Sequence, residues 1–269
     1  MKGGRRKNYN SSFPFLQAPL KGRLPKPREN GLTMILDKGM SPAECAGMLA
    51  LSHPYIDFIK LGFGTSALYH SELLAEKISL CRQYGVRIYP GGTFFEIACT
   101  QGKFYRYLGT VKNLGFTAIE ISDGTIVLPS ALRHRFITKA AEAGLYVISE
   151  VGKKKAEERL SVKAVISAIK ADLKAGARKV ILEGRESGKN IGLYNAEGEI
   201  NETDLEAIVA EIDPDCIIWE APLKKQQERL IMRFGPNVNL GNIPPGEVMA
   251  LEALRQGLRS DTFRYFLSR

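Results

Sequence analysis

Short apolar runs alternate with helical patterns from residue 32 to the end of the chain. Each run is rich in β-branched residues and is followed by a polar or glycine-rich segment. The eight runs are Thr33–Leu36, Ile56–Lys60, Val86–Tyr89, Ala118–Ile121, Tyr146–Ser149, Lys179–Leu182, Cys216–Trp219 and Val238–Leu240. Their starts lie 22 to 37 residues apart, the size of a strand, a crossover helix and two loops. Continuous apolar runs are typical of parallel strands buried on both faces.

The segments between the runs have helical periodicity. In Val162–Ala175 the apolar positions recur three and four residues apart, and Gly176 follows as a stop signal. The same pattern predicts helices that end before a glycine at Leu73–Tyr84, Phe104–Leu114 and Ala131–Ala143. The chain is therefore built from repeated strand–helix units.

Eight strands alternating with eight helices predict an α/β protein that forms a single (β/α)8 TIM barrel. An open doubly wound sheet is the alternative. That fold favours a Gly-x-Gly-x-x-Gly turn after its first strand, and the sequence here is Asp37-Lys38-Gly39. The number of strands favours the barrel.

Charge is unevenly distributed along the chain. The formal net charge is +9, but residues 1–28 hold eight basic side chains and no acidic one. The other 241 residues hold 30 bases and 29 acids. We therefore predict a short, flexible, basic N-terminal extension over residues 1–28 and a catalytic barrel over residues 29–269. A nearly neutral barrel does not favour a nucleic-acid partner.

Composition narrows the class of protein further. No apolar run approaches the roughly 18 residues that a membrane span needs, so no membrane partner is expected. The first residues lack the apolar core of a secretory signal. Four cysteines without paired spacing fit reduced thiols and a cytoplasmic protein. Three separated histidines argue against a histidine-built zinc site.

Three glutamates stand where consecutive strands end. Glu150, Glu183 and Glu220 follow the fifth, sixth and seventh runs, and the carboxyl ends of barrel strands meet at one mouth. Three carboxylates at that distance repel one another unless a cation compensates them. Mg²⁺ prefers oxygen ligands, so we predict a Mg²⁺ site made by these three residues. The alternative is that each glutamate pairs with a nearby base such as Lys60 or Arg185.

Basic groups also gather at the predicted mouth. Lys153 lies three residues after Glu150, and a partly desolvated lysine can donate or accept a proton. Arg185 offers a planar fork suited to carboxylate, phosphate or sulfonate. The surplus of cations predicts a small anionic substrate. The candidate catalytic residues are Asp37, Lys38, Lys60 and Lys153.

Three segments could bind a phosphate, and spacing alone does not choose between them. Each combines glycine amides with hydroxyl or amide side chains, or precedes a helix. They are 62–66, 184–188 and 241–246. The candidate substrate-binding residues are Gly64, Thr65, Ser66, Arg185, Ser187, Asn239 and Asn242.

The strand-end motifs together resemble the phosphosulfolactate synthase family. The resemblance extends from about Gly31 to Phe263. Its motifs together are far more specific than a single motif would be. Its motifs are Gly31–Gly39, Ile56–Ser66, Pro90–Glu96, Glu120–Gly124, Ser149–Lys154, Glu183–Lys189, Trp219–Pro222, Asn237–Pro244 and Leu258–Phe263. Phe63 and Gly241 depart from the common family residues, tryptophan and alanine, and the basic extension is not a family feature.

The resemblance implies a (β/α)8 barrel that adds sulfite to phosphoenolpyruvate with Mg²⁺ as cofactor, in the biosynthesis of coenzyme M or sulfolactate. It places the proposed proton donor at Lys153. The partners would be the two small anions, and we expect a homo-oligomer. The family also includes plant heat-stress-associated proteins, so the alternative is a barrel that serves as a stress or interaction protein. The choice of Glu150, Glu183 and Glu220 as metal ligands comes from strand order and not from the resemblance.

Overall fold

A computed structural model describes residues 13, 15–153, 160–184, 186–190 and 192–267. Eight strands within these ranges pair in parallel, in the order β3-β2-β1-β8-β7-β6-β5-β4. They are β1 Thr33–Asp37, β2 Phe58–Leu61, β3 Arg87–Pro90, β4 Ala118–Ile121, β5 Tyr146–Val151, β6 Lys179–Leu182, β7 Ile217–Glu220 and β8 Leu240–Ile243.

The two ends of this sheet meet and nearly close it into a barrel. At the junction of β3 and β4, the amide of Thr117 donates to the carbonyl oxygen of Ile88 at 3.2 Å. Its hydroxyl accepts from the Ile88 amide at 3.2 Å. The predicted (β/α)8 TIM barrel is therefore confirmed.

Helices cover the outside of the barrel. The structure gives ten α-helices within the described residues. They are α1 Pro42–Ser52, α2 Ser71–Gln83, α3 Gly92–Thr100, α4 Phe104–Asn113, α5 Ser130–Glu142, α6 Val162–Ala175, α7 Glu202–Val209, α8 Lys224–Phe234, α9 Val248–Arg255 and α10 Ser260–Leu267. The predicted α6 is confirmed at both ends, and Gly176 closes it in the left-handed conformation at φ 115°. The ten helices exceed the predicted eight: α3 begins in the glycine-rich segment that follows β3, and α10 follows α9.

The eighth strand is shifted from its prediction. We predicted Val238–Leu240, whereas β8 runs Leu240–Ile243. Thr33 pairs with Leu240, so the strand continues through Gly241 and Asn242, which an apolar pattern does not select. Gly241 is needed there, because a Cβ atom would lie 3.0 Å from Ile218 and would collide with Met34.

The interior of the barrel is filled by apolar side chains from β1 to β7 and from the residue before β1, as in other packed barrels. They are Leu32, Met34, Phe58, Tyr89, Ala118, Ile148, Ile181 and Ile218. This layer separates the two ends of the barrel. Charged groups at the carboxyl ends of the strands therefore form a site of their own.

Part of the predicted extension packs against the amino-terminal end of the barrel. Arg28 forms a buried ion pair with Asp57 at 2.7 Å. The ammonium of Lys26 donates to the carbonyl oxygen of Ile56 at 2.8 Å. Within residues 1–28, which we predicted to be flexible, the segment 20–28 therefore makes specific contacts; residues 1–12 and 14 lie outside the described residues. In the part of the chain that the structure describes, no helix is both long and apolar enough to cross a membrane.

Candidate active site

The ammonium group of Lys60 lies at the centre of a buried cluster of carboxylates at the barrel mouth. Its Nζ atom is 3.1 Å from Glu120, 3.0 Å from Glu150 and 3.3 Å from Glu220. These residues come from β2, β4, β5 and β7, and their exposed fractions are 8% for Lys60 and 0 to 2% for the glutamates. The structure thus brings the predicted Lys60, Glu150 and Glu220 together.

Three carboxylates surrounding one ammonium shift the proton affinities of both kinds of group. Burial alone would lower the pKa of Lys60, but Glu120, Glu150 and Glu220 outweigh it and raise the pKa well above its ordinary value. Burial raises the pKa of Glu120 to about 7; the Lys60 charge opposes this rise, whereas Glu150 and Glu220 add to it. Lys60 therefore stays charged, and Glu120 titrates near neutral pH.

Glycine amides support two of these carboxylates from the other side. The Gly92 amide, at the start of α3, donates to Glu120 Oε1 at 2.6 Å. The Gly184 amide donates to Glu220 Oε2 at 2.9 Å. A side chain at residue 92 would collide with Glu120, and a Cβ atom at residue 184 would lie 2.8 Å from the Glu220 carbonyl oxygen. The glycines after β3 and β6 therefore let the backbone approach these glutamates closely.

The carboxylate oxygens at the mouth are ligands of the kind that a hard divalent cation prefers. Glu183 ends β6 and is 4% exposed. Glu183, Glu120, Glu150 and Glu220 together provide four buried carboxyl groups. The ammonium of Lys60 contacts the last three. In this arrangement Lys60 contacts one oxygen each of Glu150 and Glu220. Within the described ranges, no three His, Cys, Asp or Glu side chains are already arranged around a metal position. The Mg²⁺ site of Glu150, Glu183 and Glu220 stays a prediction.

Lys153 lies beside this cluster, in contact with the β4–α5 loop. Its Nζ atom donates to the carbonyl oxygens of Asp123 at 2.6 Å and Ile126 at 3.1 Å. The nearer carboxylate oxygen of Asp123 is 3.8 Å away, and the Lys153 side chain is 18% exposed. A cavity of about 160 Å³ lies next to residues 151–153, but its wall is mostly apolar residues from the strand ends, α6 and α7, and the Lys60 cluster does not line it. The Lys153 ammonium is partly exposed and can therefore contact a small ligand.

Asp37 and Lys38 are engaged in pairs outside the Lys60 cluster. Asp37 forms a fully buried ion pair with Lys77 of α2, and its Oδ1 atom accepts from the amides of Gly39 and Met40 at 2.8 Å each. Lys38 pairs with Glu186 across the mouth, and both side chains are about half exposed. The structure therefore places Asp37 at the end of β1, where it holds the following turn, and Lys38 on the rim.

The candidate phosphate-binding residues lie in three different settings. Segment 62–67 is a 3₁₀ turn in which Gly64 has a φ of 69°, the Thr65 hydroxyl donates to the Gly62 carbonyl oxygen at 2.8 Å and Ser66 is buried. Ser187 is exposed, and Arg185 lies outside the described residues. Asn242 is in β8 and has a φ of 56°.

Asn239 is the predicted site residue that the structure does not bring to the mouth. It precedes β8, and its side chain accepts from the Leu32 amide at 3.0 Å and donates to the Ile217 carbonyl oxygen at 2.9 Å. Leu32 precedes β1 and Ile217 begins β7, the two strands that flank β8. Asn239 thus joins strands at the amino-terminal end of the barrel.

Sequence reasoning did not select Glu120 as a site residue. The available signal was an acidic residue inside an otherwise apolar strand, Ala-Ile-Glu-Ile, because an acid in a buried strand needs a partner. It also missed Glu96, a buried residue of α3 that accepts from Ser122 Oγ at 2.6 Å.

We predict that Glu120→Gln flattens the pH dependence of stability. The folded-state pKa of about 7 exceeds the ordinary value of 4.5, so the folded protein binds this proton more tightly than the unfolded chain. The unfolding free energy of the wild type therefore falls as pH rises from about 4.5 to about 7. Urea unfolding across this pH range should show a smaller fall of the unfolding free energy in Glu120→Gln than in the wild type. Equal pH slopes for the two proteins would contradict the assignment.

The fold and the mouth define a (β/α)8 barrel with a buried, charge-rich site at the carboxyl ends of its strands. A family model described as (2R)-phospho-3-sulfolactate synthase (ComA) matches residues 21–261. The chain belongs to this phosphosulfolactate synthase family.

Curated relatives agree with this assignment. The chain is 45% identical over 254 residues to the phosphosulfolactate synthase of Methanothermobacter thermautotrophicus, covering 94% of this chain and 97% of that protein. It is 45% identical over 237 residues to the enzyme of the same name from Methanocaldococcus jannaschii, covering 87% and 94%. It is also 22% identical over 227 residues to the Arabidopsis thaliana protein HEAT-STRESS-ASSOCIATED 32, covering 75% and 76%.

Solved structures are similar in fold at low sequence identity. The 3-hexulose-6-phosphate synthase of Salmonella typhimurium has a TM-score of 0.54 and 12% identity, covering 88% of this chain and 99% of that chain. A phosphonopyruvate hydrolase in complex with oxalate and Mg²⁺ has a TM-score of 0.53 and 14% identity, covering 84% and 80%. Identities this low show the barrel fold alone.

Proposed function

We propose that this protein is a phosphosulfolactate synthase, a lyase that joins sulfite and phosphoenolpyruvate to give 2-phospho-3-sulfolactate. The observation that carries the proposal is the family match over residues 21–261. The site supports it, because Lys60 contacts Glu150 and Glu220 at the mouth and Lys153 follows the end of β5. Two small anions as substrates suit a mouth that carries Lys38, Lys60 and Lys153.

The proposed reaction forms one C–S bond and moves one proton. The sulfur lone pair of sulfite attacks the methylene carbon of phosphoenolpyruvate, and the electron pair of the double bond moves toward the substrate carboxylate. The adjacent carbon then takes a proton. Lys153 Nζ is the donor in this scheme, because the family resemblance places the proton donor at this residue and its ammonium is held, partly exposed, by the carbonyl oxygens of Asp123 and Ile126. The resulting amine regains its proton from water, so atoms and charge balance.

Mg²⁺ would supply electrostatic stabilisation of the negative charge that develops on the substrate carboxylate. Glu150, Glu183 and Glu220 would hold it, because their carboxyl groups end neighbouring strands and are buried. Lys60 keeps Glu150 and Glu220 directed to the centre of the mouth. The apolar layer below the mouth keeps water out of the barrel interior.

A second candidate function is that of a stress or interaction protein built on the same barrel. The relative HEAT-STRESS-ASSOCIATED 32 motivates it. A protein without catalytic function would have no need for the buried charges around Lys60, because burying charge costs folding free energy. We therefore favour the enzyme.

A substrate-consumption assay separates the two candidates. Purified protein with phosphoenolpyruvate and Mg²⁺ should consume phosphoenolpyruvate only when sulfite is added, and a chelator should stop the reaction. Consumption that is independent of sulfite, or none with any divalent metal, would contradict the proposal.

A further inference from the structure

One buried carboxylate near the mouth has no part in the reaction described above. Glu96 lies in α3 and is 2% exposed. Its Oε1 atom accepts from the Ser122 hydroxyl at 2.6 Å and the Gly124 amide at 3.0 Å. Its Oε2 atom accepts from the Thr125 amide at 3.1 Å. A single carboxylate thus accepts hydrogen bonds from three residues of the β4–α5 loop, Ser122, Gly124 and Thr125.

The same loop holds Lys153 from its other side. The Lys153 ammonium donates to the carbonyl oxygens of Asp123 and Ile126, which flank Gly124 and Thr125, two of the residues that Glu96 binds. The Asp123 carboxylate is turned toward Arg133, whose Nη1 atom lies 2.9 Å from Asp123 Oδ1. The shortest contacts of the Lys153 ammonium are therefore to backbone oxygens, and the position of that backbone sets the position of the ammonium.

We infer that Glu96 is a positioning residue for Lys153, acting through segment 122–126. Glu96 does not need to touch a substrate for this role. Its carboxylate suits the task, because every contact it makes with the loop is from a donor and a charged acceptor forms the stronger hydrogen bonds. Loosening the loop would move the two carbonyl oxygens and with them the Lys153 ammonium. The expected effect on the reaction rate rests on the proposed function, whereas the expected effect on the position of Lys153 does not.

Glu96→Gln is the informative variant, since it keeps the shape of the side chain. A neutral amide has one acceptor oxygen, so its NH₂ group would face one of the donors at Ser122, Gly124 or Thr125. Misplacing a catalytic group by about 1 Å can cost about 100-fold in rate. We expect kcat to fall by about 10- to 100-fold while KM for phosphoenolpyruvate changes by less than about threefold.

The matched control is Asp57→Asn. Asp57 is also a buried carboxylate and accepts from the Arg28 side chain and the Thr33 amide, but it lies at the opposite end of the barrel. It should lower thermal stability without changing kcat. A loss of rate caused only by a loosened fold would appear in both variants.

A second measurement tests the positioning without enzymatic turnover. Limited acetylation with acetic anhydride, followed by peptide mass spectrometry, gives the labelling rate of Lys153. We expect at least about fivefold faster labelling in Glu96→Gln and no change in Asp57→Asn. If Glu96→Gln does not fold, Ser122→Ala removes one of the three donors and should raise the rate about twofold.

A Lys153 labelling rate equal to that of the wild type in the Glu96 and Ser122 variants would overturn the inference. A rise in this rate in Asp57→Asn as large as in Glu96→Gln would also overturn it. If the wild type makes no product, the proposed function fails, and the labelling rates still decide whether Glu96 positions Lys153. If the wild type is active and labelling rises as expected but kcat is unchanged, the catalytic consequence of the inference is wrong.

Discussion

Lys153→Ala should abolish phosphosulfolactate formation and leave the barrel folded. The side chain ends at two backbone carbonyl oxygens and is partly exposed, so its loss removes little packing. It would remove the group that protonates the substrate carbon. General acid catalysis contributes about 10²- to 10⁴-fold, so kcat should fall by about that factor. Steady-state rates and circular dichroism of the variant measure both parts of the prediction.

The matched control is Lys170→Ala. Lys170 is an exposed lysine of α6 that pairs with Glu211 at 2.7 Å on the outer surface. It should keep the wild-type rate and stability. A Lys153→Ala protein with near-normal kcat would show that another group delivers the proton.

Lys60→Met should give the largest loss of stability of any change at the mouth. Methionine retains the apolar part of the side chain but leaves Glu120, Glu150 and Glu220 without their shared ammonium. Removing one partner of a buried ion pair costs about 3–5 kcal/mol. Urea unfolding at pH 7.5 should show a loss of this size in the unfolding free energy.

The loss should be smaller at pH 5.5. Without Lys60, burial and mutual repulsion raise the pKa of these carboxyl groups in the folded state above their unfolded value. The folded variant then takes up protons as pH falls, so its unfolding free energy recovers toward acid pH. Lys179→Met is the control, because buried Lys179 donates to the Asp215 carbonyl oxygen and the Asn30 side chain. The loss of unfolding free energy in Lys179→Met should not share this pH dependence. An equal pH dependence in both variants would contradict the cluster of carboxylates around Lys60.

The barrel could be predicted from sequence because its strands are short apolar runs at regular spacing. The strand that fails this description is also the one that was misplaced: β8 contains Gly241 and Asn242, and its start is set by pairing with β1. Helix α3 was not predicted, and it begins at a glycine, a residue that disfavours helices. In the structure Gly92 begins the helix and gives its amide to Glu120.

The site could be predicted only in part, for a physical reason. Residues at strand ends converge in any barrel, so Lys60, Glu150 and Glu220 could be placed at one mouth from their positions alone. Periodicity does not show which charges contact each other, and the contact of Lys60 with Glu120 joins β2 and β4, two strands that are not paired with each other. Asn239 was assigned to the mouth because the eighth strand was placed too early, which moved a residue from one end of the barrel to the other.

The formation of a C–S bond from phosphoenolpyruvate and sulfite tests the central claim most directly. Phosphoenolpyruvate labelled with ¹³C at its methylene carbon is incubated with sulfite, Mg²⁺ and the purified protein, and the reaction is followed by ¹³C NMR. The account predicts that the olefinic signal is replaced by a signal of an sp³ carbon bonded to sulfur, with the phosphate ester retained. An unchanged olefinic signal in the presence of folded protein, or release of the phosphate without a C–S bond, would contradict it.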